Sequence, residues 1–303
     1  MLLRWLAVAV SALPWRALGW AGAFVGWLAG SVLRIRRAHV EEAMRVAGVE
    51  TPATTARGMY RSLGASALEF LWLAERGDDA TRHVRIDPAS EPRWRLALAQ
   101  GRGVVIAASH TGNWDLAACA VARDVALLVV TKRLSLGSID RFWQSTRAGR
   151  GVRLVDALGA VPRAREALGR GAAVAMMIDQ APASPRHAVR VDFLGRPALA
   201  DRAPAALAAA CAATLVVAAS SRGADGDHVL HVLDVIAPPR RPGRAWIDAA
   251  TARATAALEA FVRAHPTQWL WMHRRWKGIE AGTKLAPCRT TPSSSPAAAS
   301  RAV

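Results

Sequence analysis

The sequence predicts an α/β protein: a mixed, mostly parallel β-sheet flanked by helices and preceded by an apolar N-terminal helix. From about residue 95, short apolar segments typical of buried strands alternate with helical segments, a pattern that favours a layered α/β architecture. The chain has 303 residues, which is enough for one large domain or two modest ones. We expect the main domain at residues 38–285.

Residues 2–33 are the most apolar part of the chain, and 17–33 carry no charge. Seventeen residues is the short limit for crossing a bilayer. Four tryptophans fall in the first 27 residues, and the basic motif RIRR follows the apolar run instead of preceding it, unlike a cleaved signal peptide. We therefore expect residues 1–37 to form an uncleaved membrane anchor that spans the bilayer or lies in its interface. An apolar helix packed on the domain is the alternative.

The remaining elements are predicted from apolar periodicity and from proline and glycine boundaries. Residues 38–83 are helical, with glycines at 48 and 77 as stops. The elements that follow are strand 102–110, helix 113–123, strand 125–131, helix 138–149, strand 152–157, helix 162–171, strand 172–179, strand 188–195, helix 201–213, strand 214–220, strand 228–236 and helix 247–266. The Pro/Ser/Ala-rich segment 286–303 predicts a disordered tail.

Composition limits the classes of partner. Forty basic residues against 23 acidic ones give a net charge of +17, which favours nucleic acid, anionic lipid or an acidic carrier protein. The sequence has no helix-turn-helix, zinc or RNP-like motif, so we do not expect nucleic acid. Cys119, Cys211 and Cys288 have no metal-binding spacing, and we expect a reducing compartment, no disulfide, no metal and no cofactor.

The segment ASHTGNWDLA, residues 107–116, is the main chemical signal. It places His110 at the carboxyl end of a predicted strand, where ligands gather in α/β sheets. Asn113 is a suitable helix N-cap, so Asp115 falls in the first helical turn. We expect Asp115 to accept a hydrogen bond from one nitrogen of His110 and to leave the other nitrogen as a base. A purely structural histidine is the alternative.

The sequence around His110 contains no protein nucleophile in a recognisable setting. No serine occurs in a G-x-S-x-G motif, and no cysteine lies in a nucleophile context. The base is therefore expected to activate a hydroxyl of the substrate, which would attack an activated acyl group. Gly112 lets the backbone approach a ligand closely, and free N–H groups at the helix start would hold developing negative charge.

Several motifs, in order, resemble those of the bacterial lipid A biosynthesis acyltransferases, the late lauroyl/myristoyl type. The resemblance covers about residues 1–280. The motifs that carry it are SHTGNWD (109–115), the pair KR (132–133), Arg147 in FWQSTRAGRG, MIDQ (177–180), DFLGRPA (192–198) and HPTQWLWMHRRWK (265–277). The last motif is long and specific.

The resemblance implies an inner-membrane enzyme, its active site facing the cytoplasm, that moves a fatty acyl chain from acyl carrier protein to a hydroxyl of a lipid A precursor. It implies His110 as general base in an H-x-x-x-x-D motif and Asp115 as its orienting partner. Substrate-binding roles follow for Arg133, Arg147, Asp179, Gly112 and Asn113. The basic surface suits an acidic carrier, a phosphorylated acceptor and an anionic membrane surface.

The sequence departs from the family pattern at a few positions. Asp115 stands where glutamate is usual, Lys132 and Leu134 replace an aromatic residue and a proline, and Thr267 replaces glutamate. These departures leave open an acyltransferase for another glycolipid or a phospholipid, and a membrane scaffold with a degenerate site. In the last motif, Trp269 and Trp271 predict an extended segment with one wet face, and the basic residues from His273 to Lys277 predict contacts to lipid phosphates or the membrane surface.

Overall fold

A computed structural model of the chain describes residues 1–278. Its main sheet has seven strands in the order β1-β9-β8-β2-β5-β3-β4, and β6 and β7 form a separate hairpin. The strands are β1 (Val84–Ile86), β2 (Val104–Ala108), β3 (Leu127–Thr131), β4 (Arg153–Asp156), β5 (Ala173–Met177), β6 (Ala188–Phe193), β7 (Arg196–Asp201), β8 (Thr214–Arg222) and β9 (His228–Ile236).

Helices surround this sheet. They are α1 (Leu2–Ser11), α2 (Trp15–Trp27), α3 (Arg37–Val46), α4 (Pro52–Arg76), α5 (Asp78–Thr81), α6 (Glu91–Ala99), α7 (Trp114–Asp124), α8 (Gly137–Ala148), α9 (Ala160–Gly169), α10 (Ala203–Cys211) and α11 (Arg244–Ala264). The predicted mixed, mostly parallel α/β sheet is confirmed.

Parallel pairing at the centre of the sheet sets the position of the loop after β2. Strand β2 pairs in parallel with β5 on one side and β8 on the other, whereas β8 and β9 are antiparallel. Alternate residues of β2 enter different cores: Val105 packs with one buried cluster and Ile106 with another. This alternation is expected of a strand covered on both faces. The loop that carries His110 therefore leaves the middle of the sheet at its carboxyl edge.

Helix α4 covers this carboxyl edge. It begins at Pro52, a favoured first helical residue. Met59 belongs to one core cluster and Phe70 to the other, while between them Ser66 Oγ donates a hydrogen bond to Gly112 O at 3.2 Å. The helix thus passes from one face of the sheet to the other above the loop after β2.

The predicted single N-terminal anchor helix consists of two helices. They are separated at Pro14, which cannot continue the hydrogen bonding of α1. Within residues 1–278, no one helix has both the length and the apolarity needed to cross a bilayer. The helical segments Trp15–Val32 and Arg37–Val46 have this length and apolarity only when they are taken together, and they form a pair bent by 90°.

Helix α2 packs on α4 through glycine. A side chain at Gly22 would collide with the backbone of Ala65, and one at Gly26 would collide with the backbone of Tyr60. This close approach buries one face of α2 and leaves Trp20 and Phe24 on the other face exposed.

Three elements were absent from the sequence prediction. Strand β1 is short, and α6 has a weak apolar pattern. Strand β7 follows a turn formed by Leu194 and Gly195 alone, both with positive φ (55° and 74°), as a two-residue hairpin loop requires. The predicted tail, 286–303, lies outside the described residues.

Candidate active site

His110 is held from one side by Asp179. The ring Nδ1 lies 2.9 Å from Asp179 Oδ1, and the backbone N–H of His110 donates to Oδ2 at 2.8 Å. Trp269 Nε1 also donates to Oδ2, at 2.9 Å. Because an ionised carboxylate only accepts, the ring proton of His110 resides on Nδ1. Nε2 then carries the free lone pair.

The charges of this pair stabilise each other. Burial lowers the pKa of His110, but the charge and hydrogen bond of Asp179 outweigh burial, and the pKa lies above its usual value. Burial raises the pKa of Asp179, but His110 and the Trp269 donor reverse that effect and hold the pKa well below its usual range. Asp179 is therefore ionised throughout the physiological range, and His110 is a stronger base than a free imidazole.

The other ring nitrogen faces a second histidine. Gln180 Nε2 lies 3.5 Å from His110 Nε2 and 3.0 Å from His273 Nε2, and the two imidazole centroids are 5.0 Å apart. Burial and the charge of His110 lower the pKa of His273 to about 4. His273 is therefore a neutral polar group next to the base.

An apolar cavity opens beside His110. Trp114 meets the His110 ring edge-on, with centroids 5.0 Å apart, and lines the cavity together with Ser109. Its other walls are apolar side chains of one sheet face and of the helices above it, including Ile106, Ala108, Ala118, Val121, Leu127, Val129, Ala175 and Ala218. Alanines on three strands leave room there for an apolar ligand.

Asp115 does not make the expected contact with His110. Trp143 Nε1 donates to Asp115 Oδ2 at 2.9 Å, and Arg147 Nε donates to Oδ1 at 2.7 Å. Asp115 lies in the first turn of α7, as predicted, but there it faces α8. Its charge still contributes to the raised pKa of His110, and Arg147 opposes that contribution. The contact expected of Asp115 is made by Asp179, which lies 64 residues later in the chain.

Arg133 lies apart from His110. Its side chain is 82% exposed and its Nε is 3.7 Å from Asp156 Oδ2. It follows β3, which is separated from β2 by β5. The structure therefore brings His110, Asp179, Asp115 and Arg147 together. Arg133 lies apart from them, on the exposed loop after β3.

Gly112 and Asn113 form the scaffold of the loop. Gly112 has a φ of 57°, and a Cβ there would lie 2.7 Å from Ser220 O. Gly112 thus allows a close approach to the backbone of β8, and its expected role beside a ligand stays a prediction. Asn113 Oδ1 caps α7 by accepting from Leu116 N at 3.1 Å, which confirms the predicted N-cap. Its Nδ2 donates to Glu69 Oε2 at 3.0 Å.

A buried charge cluster lies behind this loop, and the sequence prediction did not include it. Glu69 also pairs with Arg222 and with His228, whose Nε2 lies 2.9 Å from Oε2. Arg222 NH2 donates to Ser66 Oγ at 3.1 Å. The signal in the sequence is a lone glutamate within the apolar run ALEFLWL, since a buried carboxylate requires partners.

The two alternating tryptophans and one arginine of the C-terminal motif are buried, so the predicted wet face of the tryptophan pair is wrong. Trp269, Trp271 and Arg275 are each 1% exposed. Trp269 pairs with Thr111 across an isolated β-bridge. The Arg275 guanidinium lies 4.9 Å from the Phe193 ring, and burial lowers its pKa to about 10. The predicted membrane contact of Arg275 is therefore wrong. The segment that contains Trp269 packs instead against the loop that carries His110.

Comparison with known proteins agrees with this arrangement. The model of the family described as bacterial lipid A biosynthesis acyltransferase matches residues 2–278. No curated protein matches the chain. The family match spans all of the elements that form the site.

Proposed function

The chain belongs to the bacterial lipid A biosynthesis acyltransferase family, and we propose that it moves a fatty acyl chain from acyl carrier protein to a hydroxyl of a lipid A precursor. Family membership itself supports acyltransferase activity in general. One observation carries the finer proposal. His110, oriented by Asp179, lies against Trp114 at the wall of an apolar cavity. A base and a site for an acyl chain therefore adjoin.

The proposed reaction is a single displacement. Asp179 holds the Nδ1–H of His110, and Nε2 removes the proton of the acceptor hydroxyl as its oxygen attacks the thioester carbonyl carbon. The carbon–sulfur bond then breaks, and the proton passes from His110 to the departing thiolate. His110 ends neutral, the carrier leaves as a free thiol, and no acyl-enzyme forms. Trapping a covalent acyl-protein during turnover would contradict this proposal.

The cavity is the proposed site for the acyl chain. Val129 pairs with Ala175, which pairs with Ile106, so Leu127 lies four residues below the level of Ala108. That depth corresponds to about 13 Å along the strands. The wall is apolar over this length, which suits an extended hydrocarbon chain.

The remaining charges suit the proposed partners. The Asp115 carboxylate is occupied by Arg147. We therefore assign the role of orienting His110 to Asp179. We assign Asp115 and Arg147 the role of holding α7 and α8 in register beside the site. A net charge of +17 favours an acidic carrier protein and a phosphorylated acceptor.

We also propose attachment to the cytoplasmic side of the inner membrane through residues 1–37. Exposed Trp5, Trp20 and Phe24 support this placement, because tryptophan prefers membrane interfaces. If the full-length protein remains in the supernatant after low-salt lysis and ultracentrifugation, the attachment is wrong.

The deciding experiment is mass spectrometry of membrane lipids from cells with the wild-type protein, with His110→Ala, or with neither. We expect one additional acyl mass on lipid A only with the wild type. An acyl gain on another glycolipid would keep the chemistry and change the acceptor. No change in any lipid would favour a membrane scaffold.

A further inference from the structure

Among the described residues, exposed large apolar side chains cluster in two regions, and one further residue lies outside both. Among the described residues, most of them lie within the first 46 positions, in α1 to α3 and their connections. Of those elsewhere, Leu134, Leu136, Leu158 and Val161 lie in or beside the connections that follow β3 and β4, and Leu96 stands alone. We call residues 132–136 and 157–161 the leucine loops. Clustered exposure of this kind marks an interaction surface.

The leucine loops are held in defined shapes. Asp140 Oδ1 accepts from the backbone N–H of Leu134 at 2.9 Å, and Asp156 Oδ1 accepts from that of Leu158 at 3.0 Å. Arg133 and Asp156 approach to 3.7 Å and link the two loops. Leu158 is nevertheless 92% exposed. The protein therefore fixes the backbone while the apolar side chains point away from it.

Positive charge exceeds negative charge in and around the leucine loops, because residues 132–141 and 156–165 carry five basic and two acidic side chains. Lys132 and Arg133 lie in the first loop, and both are exposed. The nearby carboxylates, Asp140 and Asp156, are engaged with the loop backbone. Apolar side chains flanked by exposed cations match the interface of an anionic bilayer, which attracts basic residues near its surface.

The leucine loops and the N-terminal helices lie on the same side of the molecule. The loops follow the carboxyl ends of β3 and β4, the edge from which His110 projects. Helix α4 crosses that edge, and α1 and α2 pack on α4. Helix α1 also contacts α8, which starts directly after Leu136. One apolar and basic surface thus surrounds the carboxyl edge.

We propose that the leucine loops insert into an anionic membrane surface as a second contact, separate from residues 1–37, and turn the His110 edge towards the bilayer. A bilayer fits better than an acidic carrier protein because these side chains protrude and continue the exposed N-terminal apolar surface. The acceptor lipid then reaches His110 directly from the membrane. Only this last step rests on the proposed function.

The test uses the full-length chain with Cys211 and Cys288 replaced by serine, since Cys119 is fully buried. An environment-sensitive fluorophore is attached at Leu158→Cys or Leu136→Cys. Leu96→Cys, at the isolated exposed leucine, is the matched control. The protein is added to vesicles of phosphatidylglycerol and phosphatidylcholine that carry lipid quenchers. We expect emission at 136 and 158 to rise on vesicles of the same lipids without quencher and to fall when the quenchers are present, and emission at 96 to remain unchanged in both.

Equal signals at 158 and 96 would overturn the proposal. So would a response at 158 that needs carrier protein and no vesicles, since that result assigns the loops to the carrier. A second variant, Leu136→Ser/Leu158→Ser, is expected to lower the ratio of transfer on vesicle-borne acceptor to transfer in detergent micelles by about tenfold. Leu96→Ser should leave the ratio unchanged. If His110→Ala retains turnover while the quenching persists, the proposed function fails and the membrane contact stands.

Discussion

His110 and His228 each meet a buried carboxylate at 2.9 Å, Asp179 in one case and Glu69 in the other. The pKa of His110 lies above its usual value, whereas burial and the charge of Arg222 lower that of His228 to about 3. His228 is completely buried, and its carboxylate is shared with Arg222. Among residues 1–278, no arginine or lysine is paired with Asp179, and its histidine lies beside Gln180 and beside Trp114, which lines the apolar cavity.

A histidine–carboxylate pair is therefore not by itself an active site. What separates the two pairs is access and the charge that the carboxylate retains. Glu69 is already neutralised by Arg222, so it cannot make His228 basic, and the pair serves as structure. The following changes test this distinction, from the largest expected effect to the smallest.

His110→Ala should reduce acyl transfer by about 10²–10⁴-fold, because general-base assistance is lost. The unfolding temperature should also fall, since the change leaves the buried Asp179 carboxylate without its histidine partner, so transfer is compared at a temperature where the variant is folded. Transfer is measured by mass spectrometry of the lipid product. His187→Ala, at an exposed histidine, is the matched control and should retain full activity. Comparable activity in the two variants would exclude His110 as the base.

Asp179→Asn should lower kcat by about a hundredfold and move the rising limb of the pH–rate profile to lower pH. The sign follows from the pKa: Asp179 favours protonated His110, so removing its charge lets His110 lose its proton at lower pH. Asp115→Asn should move the limb less, because Asp115 is paired with Arg147. A larger shift in Asp115→Asn would restore Asp115 as the orienting partner.

Glu69→Gln should destabilise the protein by about 3–5 kcal/mol, because it leaves Arg222 buried without its carboxylate. The measurement is chemical unfolding in detergent. Glu75→Gln, at an exposed position of the same helix, is the control and should cost less than about 0.5 kcal/mol. Similar unfolding midpoints for the two variants would show that the cluster does not stabilise the fold.

Ala118→Leu should shift donor preference towards shorter acyl chains, with kcat/KM for a long donor falling about tenfold relative to a short one. Ala118 lines the cavity, so the added methyl groups occupy its volume. Ala120→Leu, on the same helix outside the cavity, should leave the preference unchanged. A donor series with mass detection measures the ratio, and equal ratios would place the acyl chain elsewhere.

Local sequence pattern predicted the layered fold and the position of His110, because buried parallel strands and helix caps are encoded within a few residues. The strand before His110, the cap at Asn113 and the strand before Asp179 all follow from such patterns. Asp115 was expected to contact His110 because it is near in sequence. Helix α8 instead places Arg147 beside Asp115, and the two side chains form an ion pair.

Contacts between distant segments could not be predicted in the same way. The hydrogen bond between Asp179 and His110 depends on β5 lying next to β2. The motif around neither residue specifies this strand order. The burial of Trp269 and Arg275 likewise depends on where the segment after α11 folds back. The alternating tryptophans look amphipathic in the sequence, and only tertiary packing buries both of them together with Arg275.

That returning segment has a consequence for the order of events during synthesis. Trp269 supplies a donor to Asp179, Gly112 donates to Gln268 O, and Leu270 donates to His110 O. Chains fold from the N-terminus as they leave the ribosome, so α1 and α2 emerge and dock on α4 long before residue 270 is translated. Under the proposed membrane attachment, the nascent protein would meet lipid while the loop that carries His110 is still unsupported. The hydrogen bonds that support the His110 loop can be completed only after residues 268–270 have left the ribosome.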